Sequence, residues 1–412
     1  MKLSHSIFSN KNAPFNGFFF LTGFHRTKEQ FYVGLILNGE VVEAGFFTEG
    51  LSKEEKTALM NTIMNKVTND GKKQKISLKP TICVELSFDG FSRNKLLNPA
   101  FLSFQLQVDW QQCTWGNLII RNSSAHVQIT SPDKQLWDAP SITKDQYIAY
   151  LTEAAPRMLP FLQDRPVTLK RAPEGISSEQ FYQKNCPEYA PDFIKTYEAE
   201  DNHYIVCDQL STLLWLGNQA AIEYHIPFNT TESNNPREIV FDLDPPDGDH
   251  FPMAIKAAKE MKERLDMFDI ESFPKLSGNK GLQIHIPFAD RTLTYEDTRI
   301  FTSFMAHYLV EKHSDDFTIE RMKKKRGKKL YIDFVQHWRG KTIICPYSTR
   351  VNPDATVAVP LRWQEVNDKL TPKNYTIFSM LERIQNRQCP MNNYFQVENE
   401  QIPKVINKLK NH

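Results

Sequence analysis

The segment Arg237–Pro246, REIVFDLDPP, constrains the fold of this chain more than any other. An apolar run ended by two prolines predicts a strand that stops where the prolines begin, because proline cannot donate to a strand ladder. Successive side chains of a strand point to opposite faces, so Asp242 and Asp244 share one face while Leu243 points into a core. The chain must therefore build a sheet that has a polar end at this position.

Two carboxylates that converge at a strand end suit divalent cations bound through oxygen, and a solvated edge turn is the alternative. An EF-hand is excluded, because its sixth and twelfth positions, which need Gly and Glu, would be Asp247 and Met253. A second strand, LYIDF, places Asp333 between apolar neighbours, and an acid in a core needs a partner. A metal shared by the three carboxylates would supply one. Three carboxylates from two strands match a two-metal nucleotidyl-transfer site.

Composition narrows the class of protein. A length of 412 residues predicts two or three domains. The formal net charge of +1 excludes a histone-like basic tail and an acidic disordered chain, but it leaves local DNA-binding patches open. The six cysteines form no CxxC pair, which argues against a zinc ribbon and fits a reducing compartment. No apolar run has the length of a signal sequence or a membrane helix, so we expect a cytoplasmic protein with no membrane partner.

The strand and helix patterns predict two domains, residues 1–122 and 123–412. In the first domain, strand-like runs flank the hairpin signal Asn38-Gly39, and a capping box from Ser52 to Glu55 opens a helix. These features indicate a small OB-type β-barrel, and another small α+β domain fits them equally well. The second domain mixes strands and helices, so its predicted class is α/β or α+β with a mixed sheet.

Four helices are predicted in the second domain, at residues 142–162, 213–224, 253–268 and about 295–313. Pro156 and Pro160 should kink or divide the first of them. The strands predicted there are VTLKR, REIVFDLD, GLQIHIPF, LYIDFVQH and TIICPY.

Phosphate-binding candidates surround the acidic strands. The glycines of Leu276–Gly281, LSGNKG, allow tight turns, and its amides together with Lys280 suit a triphosphate, although no Walker A motif is present. A plain turn is the alternative. Lys341 and Arg350, in GKTIICPYSTR, are placed to neutralise phosphate charge, with ordinary surface roles as the alternative.

Two further segments suit DNA. Residues Arg321–Lys329 carry seven cations in nine positions and lead directly into the second acidic strand, so they suit a DNA backbone; a solvated hairpin is the alternative. Phe181 and Tyr182 follow Lys170 and Arg171 within a short stretch. Aromatics beside cations suit stacking on bases, and ordinary core aromatics are the alternative.

In combination, the ordered motifs FDLDP, SGNKG, YIDFVQ and GKTIICPYSTR resemble the polymerase domain of bacterial DNA ligase D, in the archaeo-eukaryotic primase superfamily. The resemblance runs from about residue 127 to the C-terminus. It implies metal-binding, catalytic roles for Asp242, Asp244 and Asp333. It implies nucleotide contacts by His225, Ser277, Lys280, Gln283, Gln336, Lys341 and Arg350. It implies DNA contacts by Ser131, Lys134, Lys144, Lys170, Arg171, Phe181 and Tyr182, of which the first three form a pocket for a 5′-phosphate. Gln283 departs from the family, which often has His there; Gln still hydrogen-bonds a phosphate but carries no charge.

Residues 1–122 resemble the OB domain of the ATP-dependent ligase module in the same family, but the Lys-x-Asp-Gly nucleophile of the adenylation domain is absent from this sequence. The resemblance implies a template-directed nucleotidyltransferase that acts at double-strand breaks in non-homologous end joining. It implies Mn²⁺ (or Mg²⁺), NTP substrates, DNA ends with a 5′-phosphate, Ku as a partner, and a possible separate ligase chain. The alternatives are a DNA ligase subunit and a non-catalytic scaffold that binds DNA ends.

Overall fold

The computed structural model describes residues 14–37, 40–66, 74–92, 95–114, 117–118, 121–122, 127, 129–131, 133–199, 201–289 and 292–411. The chain divides into two units. Unit 1 comprises Met1–Ile129 and Arg383–Arg387, and unit 2 comprises Thr130–Glu382 and Gln388–His412. The hairpin turn predicted at Asn38-Gly39 and the residues directly after the predicted boundary at residue 122 lie outside the described residues.

Unit 1 is built mainly from antiparallel strands. Its elements are β1 (Phe15–His25), β2 (Gln30–Leu37), β3 (Glu40–Phe47), α1 (Lys53–Lys66), β4 (Lys75–Ser77), β5 (Cys83–Phe88), β6 (Gly90–Ser92), β7 (Lys95–Leu97) and β8 (Ala100–Phe104). Six strands form one sheet in the order β3-β2-β1-β5-β8, with β4 paired to β1, while β6 and β7 pair separately. The predicted capping box is present at α1: Ser52 Oγ accepts from Glu55 N at 3.1 Å, and Ser52 N donates to the Glu55 carboxylate at 2.8 Å.

The two outer strands of this sheet approach each other just beyond β3. Glu49 forms a parallel bridge with Ala100, and the backbone N–H of Phe101 donates to the Glu49 carbonyl at 2.9 Å. Gly50 permits the approach, because its φ is +94° and a Cβ there would lie 2.2 Å from the Phe101 carbonyl oxygen. The predicted barrel requires this kind of contact; the barrel itself stays a prediction.

Unit 2 contains a short hairpin and two larger sheets. The hairpin pairs β9 (Gln135–Trp137) with β10 (Ile142–Thr143). The strands of the first larger sheet are β11 (Pro166–Arg171), β12 (Phe181–Gln183), β13 (Lys195–Ala199), β14 (Asn202–Val206), β15 (Ala221–Pro227) and β21 (Thr342–Ile344). The strands of the second are β16 (Glu238–Asp244), β17 (Phe273–Leu276), β18 (Leu282–Pro287), β19 (Phe317–Thr318) and β20 (Leu330–Asp333).

The order of the first larger sheet is β13-β14-β11-β15-β21, with β12 on β11, and every pairing in it is antiparallel. The order of the second is β17-β18-β16-β20-β19. Because β19 and β20 run parallel while the other pairs are antiparallel, this second sheet is mixed, as predicted.

The further helices of the chain are α2 (Lys144–Leu162), α3 (Leu210–Asn218), α4 (Phe251–Met267), α5 (Tyr295–Lys312), α6 (Ile377–Asn386) and α7 (Gln401–Lys410). All belong to unit 2 except the end of α6, from Arg383 onward, which belongs to unit 1. α2 runs through Pro156 and Pro160 without a break, so of the predicted kink or division the division is wrong, and the kink stays a prediction. Its residues Met158 and Phe161 are buried, and such packing offsets the lost backbone bonds. In the described part of the chain, none of the helices is long and apolar enough to cross a bilayer.

One predicted element and one alternative need correction. The helix predicted over 213–224 ends at Asn218, and residues from Ala221 onward form β15, because they pair between β11 and β21 in a buried sheet. Sheet pairing there overrides local helix preference. The basic run Arg321–Lys329 contains a single 3-10 turn at Lys323–Lys325 rather than a hairpin.

Candidate active site

Four polar side chains form one row across neighbouring strands of the mixed sheet. Asp242 on β16 lies opposite Asp333 on β20 and opposite Gln283 on β18. Gln283 in turn lies opposite Lys275 on β17. Directly opposite residues of antiparallel strands place their Cβ atoms about 4.5–5.5 Å apart on one face. Asp244 follows two residues after Asp242 and shares that face, so the sheet brings the three predicted carboxylates together.

Burial and the neighbouring acids make ionisation of Asp242 and Asp333 unfavourable. Burial, followed by the charges of Asp244 and Asp333, raises the pKa of Asp242 to about 6. Burial is also the largest cause that raises the pKa of Asp333. One donor opposes this effect, since Gln283 Nε2 donates to Asp242 Oδ1 at 3.2 Å. A cation bound here would relieve the repulsion, so the cluster favours a cation.

Asp244 lies between two cations. Lys280 Nζ is 3.3 Å from Asp244 Oδ1 and also donates to the backbone carbonyls of the two following prolines. Arg326 Nη1 is 3.7 Å from Asp244 Oδ2, and its guanidinium lies 3.6 Å from the centre of the Tyr331 ring. The Tyr331 hydroxyl donates to Asp333 Oδ1 at 3.2 Å. The basic run therefore reaches the carboxylates through Arg326, which sequence reasoning did not single out.

The donor set fits a hard divalent cation. Asp242, Asp244 and Asp333 offer only oxygen ligands, which suit Mn²⁺ or Mg²⁺. Among the described residues, no three His, Cys, Asp or Glu side chains are already arranged as a metal cluster. Asp244 instead faces Lys280, and Asp333 accepts from the backbone N–H of Gln336 at 2.9 Å.

A cavity of about 290 Å³ opens beside the carboxylates, between β15 and β21 of one sheet and β16 and β18 of the other. Eight of the residues predicted for catalysis or nucleotide binding line it: His225, Asp242, Asp244, Ser277, Lys280, Gln283, Gln336 and Arg350. Lys341 and Asp333 are not among the lining residues, and Lys341 is exposed just before β21. The structure therefore places most of the predicted nucleotide set around one cavity.

The LSGNKG loop forms a tight turn at the rim of this cavity. Ser277 Oγ accepts from the backbone N–H groups of Asn279 and Gly281 at 3.3 and 3.1 Å. Gly278 has a φ of +79°, and a Cβ there would lie 2.6 Å from Arg350 Cγ. Glycine at 278 is thus required both by the backbone conformation and by the close approach of Arg350.

Sequence reasoning missed two buried charged residues of the site. Glu223 contacts His225 Nε2 at 2.8 Å and Arg350 Nε at 3.3 Å. Burial raises the pKa of Glu223, but the bond from His225 and the charge of Arg350 outweigh it and leave that pKa lowered. Lys275 is fully buried, and burial lowers its pKa to about 7. The sequence signal that could have found them is a charged residue inside an apolar run, Glu223 in AIEYHIPF and Lys275 in FPKL.

The predicted stacking residues are exposed and flanked by cations. Phe181 and Tyr182 on β12 are 41% and 64% exposed, so the alternative that they are core aromatics is wrong. They pair with Arg171 and Lys170 on β11, whose charged groups lie 5.4 and 5.8 Å from the respective ring centres. The Tyr182 ring lies 6.1 Å from the ring of His225, which lines the cavity.

The predicted phosphate pocket lies at the N-terminus of α2. The backbone N–H of Lys144 donates to the Lys134 carbonyl at 2.8 Å, and Ser131 is exposed in the turn before it. Lys144 is buried, and its ammonium donates to the Thr130 carbonyl at 2.7 Å. Lys134 Nζ contacts Glu174 at 2.7 Å. Burial, followed by the charge of Lys134, lowers the pKa of Lys144. The structure brings the three residues together, but both ammonium groups have protein partners.

A mixed sheet with converging carboxylates, beside a cavity that also holds Lys280 and Arg350 and near exposed aromatics, is the arrangement of a polymerase-type domain. The fold matches that of the solved polymerase domain from Mycobacterium tuberculosis Ligase D in complex with DNA, with a TM-score of 0.61 and 27% identity, over 66% of this chain and 99% of that one. The chain belongs to the LigD primase-polymerase family, whose domain model (LigD, primase-polymerase domain) matches residues 143–391. The resemblance drawn from the motifs is confirmed.

Two relatives show how much of this chain, and how much of a longer protein, the sequence similarity covers. The bifunctional non-homologous end joining protein LigD of Bacillus subtilis is 42% identical over 393 residues, which are 95% of this chain and 64% of that protein. The multifunctional non-homologous end joining protein LigD of Mycolicibacterium smegmatis is 31% identical over 249 residues, which are 59% of this chain and 32% of that protein. The chain therefore spans less than two thirds of the length of these relatives.

Proposed function

We propose that this chain is a template-directed nucleotidyltransferase that adds nucleotides to a primer 3′-OH at broken DNA ends during non-homologous end joining. The observation that carries the proposal is the cross-strand pair Asp242–Asp333, with Asp244 on the same face, beside a cavity lined by Ser277, Lys280 and Arg350. Two-metal nucleotidyl transfer needs such carboxylates next to a cationic phosphate site. The end-joining names of the relatives and the DNA in the related solved structure support it.

Each part of the site has a role in this reaction. A bound Mn²⁺ or Mg²⁺ would act as a Lewis acid that lowers the pKa of the primer 3′-OH and neutralises triphosphate charge. Lys280 and Arg350 bind the triphosphate electrostatically, and the Ser277 turn holds Lys280 at the rim of the cavity. Phe181 and Tyr182, exposed on their hairpin, stack on template bases.

Several finer points belong to the same proposal. We expect a preference for ribonucleotides and for Mn²⁺, recognition of a 5′-phosphate, and a partnership with Ku at the nucleoid in the cytoplasm. Because the sequence has no Lys-x-Asp-Gly motif, the chain alone should form no lysyl-AMP adduct with radiolabelled ATP and should leave nicked DNA unsealed. A stable adduct would contradict this part of the proposal, and a separate ligase chain would then be unnecessary.

Primer extension on gapped DNA in Mn²⁺ tests the central claim. Asp242→Ala and Asp244→Ala should abolish nucleotide addition and leave DNA-end binding largely intact, because carboxylates hold the metal while separate cations hold DNA. Asp247→Ala is the matched control, since Asp247 is an exposed acid just beyond the strand. A wild-type chain that binds ends without adding nucleotides would instead be a scaffold. An Asp242→Ala chain that extends primers at near wild-type rate would refute the site.

A further inference from the structure

Lys275 is a buried cation directly behind the cavity. Its side chain is 0% exposed, and it lies in the cross-strand row that continues through Gln283 to Asp242. Its ammonium donates to Gln283 Oε1 at 2.5 Å and to the Ile344 carbonyl at 3.0 Å. No carboxylate among the described residues lies within ion-pair distance of it. A buried ammonium without a direct counter-ion is costly, so it needs another reason to be in this position.

The donors and acceptors in the row fix the orientation of the Gln283 amide. An ionised carboxylate can only accept, and the Lys275 amino group carries N–H donors in either protonation state. Gln283 must therefore turn its oxygen to Lys275 and its NH₂ group to Asp242, as observed at 2.5 and 3.2 Å. A flipped amide would place NH₂ against the ammonium and oxygen against the carboxylate. Lys275 thus sets which group of Gln283 meets Asp242.

The second bond of Lys275 connects the two sheets of unit 2. Lys275 lies on β17 of the mixed sheet, and Ile344 lies on β21 of the other sheet. Ile344 also lines the cavity together with Gln283 and Asp242. One ammonium therefore holds the carboxylate strand, through Gln283, and the opposite cavity wall, through a backbone carbonyl.

We propose that Lys275 is a positioning residue that orients Asp242 for cation binding through the Gln283 amide. The inference rests on the proposed function for the identity of the cation site. Lys275 does not line the cavity, and among the described residues no carboxylate contacts it. It acts by holding Gln283 as a donor to Asp242 Oδ1. Partners that orient metal ligands commonly change metal affinity by about 10–100-fold when they are removed.

Direct Mn²⁺ binding, measured by electron paramagnetic resonance on the full chain without nucleotide or DNA, tests the proposal. Lys275→Met should weaken Mn²⁺ binding about tenfold. Gln283→Met should weaken it similarly, and the double variant should be no weaker than either single variant, because both act through one link. Lys275→Arg, which keeps a donor, should restore part of the affinity. Lys259→Met, at an exposed lysine of α4, is the matched control and should bind like wild type.

Thermal unfolding without metal separates positioning from a structural role. Because Met replaces a buried charge that has no counter-ion with an apolar chain of similar length, Lys275→Met should unfold at the wild-type temperature or higher. A merely structural lysine would show the reverse pattern, with a lower unfolding temperature and unchanged Mn²⁺ binding. Mn²⁺ binding by Lys275→Met within twofold of wild type overturns the proposal.

Primer extension by the same proteins distinguishes this inference from the proposed function. If wild type binds Mn²⁺ more tightly than Lys275→Met but adds no nucleotides, the positioning role stands and the proposed function fails. If wild type adds nucleotides and Lys275→Met has the same Mn²⁺ dependence, the proposed function stands and the positioning role fails. A wild-type chain that binds no Mn²⁺ overturns both.

Discussion

At the scale of single residues, the site keeps unfavourable charges in place. Asp242 is held next to two other acids, and Lys275 is held in the interior without a direct counter-ion. Each costs folding free energy that an apolar residue would not. Strain of this kind is expected where a site must bind a charged ligand that is part of its function.

Burial of Asp242, together with repulsion from Asp244 and Asp333, predicts a stability gain when its charge is removed. The pKa of Asp242 rises to about 6 in the folded chain, above its ordinary value near 3.8. Below about pH 4 the acid is protonated in both states and costs nothing. Between about pH 4 and pH 6 the unfolded acid loses its proton while the folded one keeps it, so stability falls by about 1–3 kcal/mol at ~1.4 kcal/mol per pKa unit and is level above that window. Asp242→Asn should therefore be more stable than wild type at pH 7.5 in EDTA, with the gap closing towards pH 4.

Urea unfolding at the two pH values measures that gap. Adding Mn²⁺ should then stabilise wild type and leave Asp242→Asn unchanged, because a ligand stabilises only the fold that binds it. Equal stability of the two proteins at pH 7.5 in EDTA would show that burial and the neighbouring acids do not make the Asp242 charge unfavourable.

At the scale of elements, the local sequence pattern correctly predicted where elements begin or end when nearby residues determine it. β16 ends at Asp244, before the prolines, and Thr143 caps α2 through its bond from the Gln146 N–H. The local pattern failed where strand pairing determines the secondary structure. At β15, the segment AIEYHIP is a strand because it pairs with β11 and β21. Lys275 and Glu223 were missed for the same reason, because only strand register shows which buried charges meet.

The exposed aromatic residues of the β11–β12 hairpin predict how the chain binds a single-stranded DNA overhang. Phe181 and Tyr182 are exposed, so truncating them removes stacking surface and little core packing. Phe181→Ala plus Tyr182→Ala should weaken binding to DNA with a single-stranded overhang by about 1–3 kcal/mol per lost base contact. Fluorescence anisotropy with blunt and overhanging ends measures the difference. Tyr189→Ala, at another exposed aromatic outside this hairpin, is the control. An unchanged affinity for overhangs would refute the stacking role.

The N-terminus of α2 predicts a preference for a 5′-phosphate that is limited by Glu174. Lys134 reaches that carboxylate at 2.7 Å, so a phosphate must compete with it. Lys134→Ala should lower the preference for a 5′-phosphate over a 5′-hydroxyl about tenfold, since a charge-assisted bond contributes ~1.5–3 kcal/mol. Glu174→Gln should raise the preference, because the competitor is lost.

Binding to gapped DNA with both 5′ ends, at several salt concentrations, compares these two variants with wild type. Lys134→Ala should also reduce the salt slope by about one phosphate contact. If Lys134→Ala and Glu174→Gln both keep the wild-type preference for a 5′-phosphate, the phosphate site lies elsewhere. Lys144 is a poorer target for this test, since its buried ammonium holds the Thr130 carbonyl and its removal would disturb the fold.

At the scale of unit 2, the buried acid Glu238 contacts residues from both larger sheets and from the C-terminal segment. Glu238, at the start of β16, contacts Arg165 Nη1 at 2.6 Å and His285 Nδ1 at 3.0 Å, and it accepts from the Tyr394 hydroxyl. Arg165 directly precedes β11 of the other sheet and also donates to the Pro227 carbonyl at 2.8 Å. The two sheets and the C-terminal segment around Tyr394 therefore meet at one carboxylate, four residues before Asp242 on the same strand.

This network predicts the acid sensitivity of the whole unit. Burial raises the pKa of Glu238, but Arg165 and His285 outweigh it and hold that pKa far below its usual range. A depressed carboxyl pKa contributes stability above the unfolded value near 4.3, and that contribution is lost as the pH falls. Glu238→Gln should cost about 3–5 kcal/mol at pH 7, because Arg165 stays buried without its partner. Arg165→Met plus Glu238→Gln should recover most of this loss, since neither charge remains. Urea unfolding of wild type, Glu238→Gln and the double variant at pH 7 and pH 4 tests this prediction. A double variant no more stable than Glu238→Gln alone would show that the buried charge pair does not hold the two sheets together.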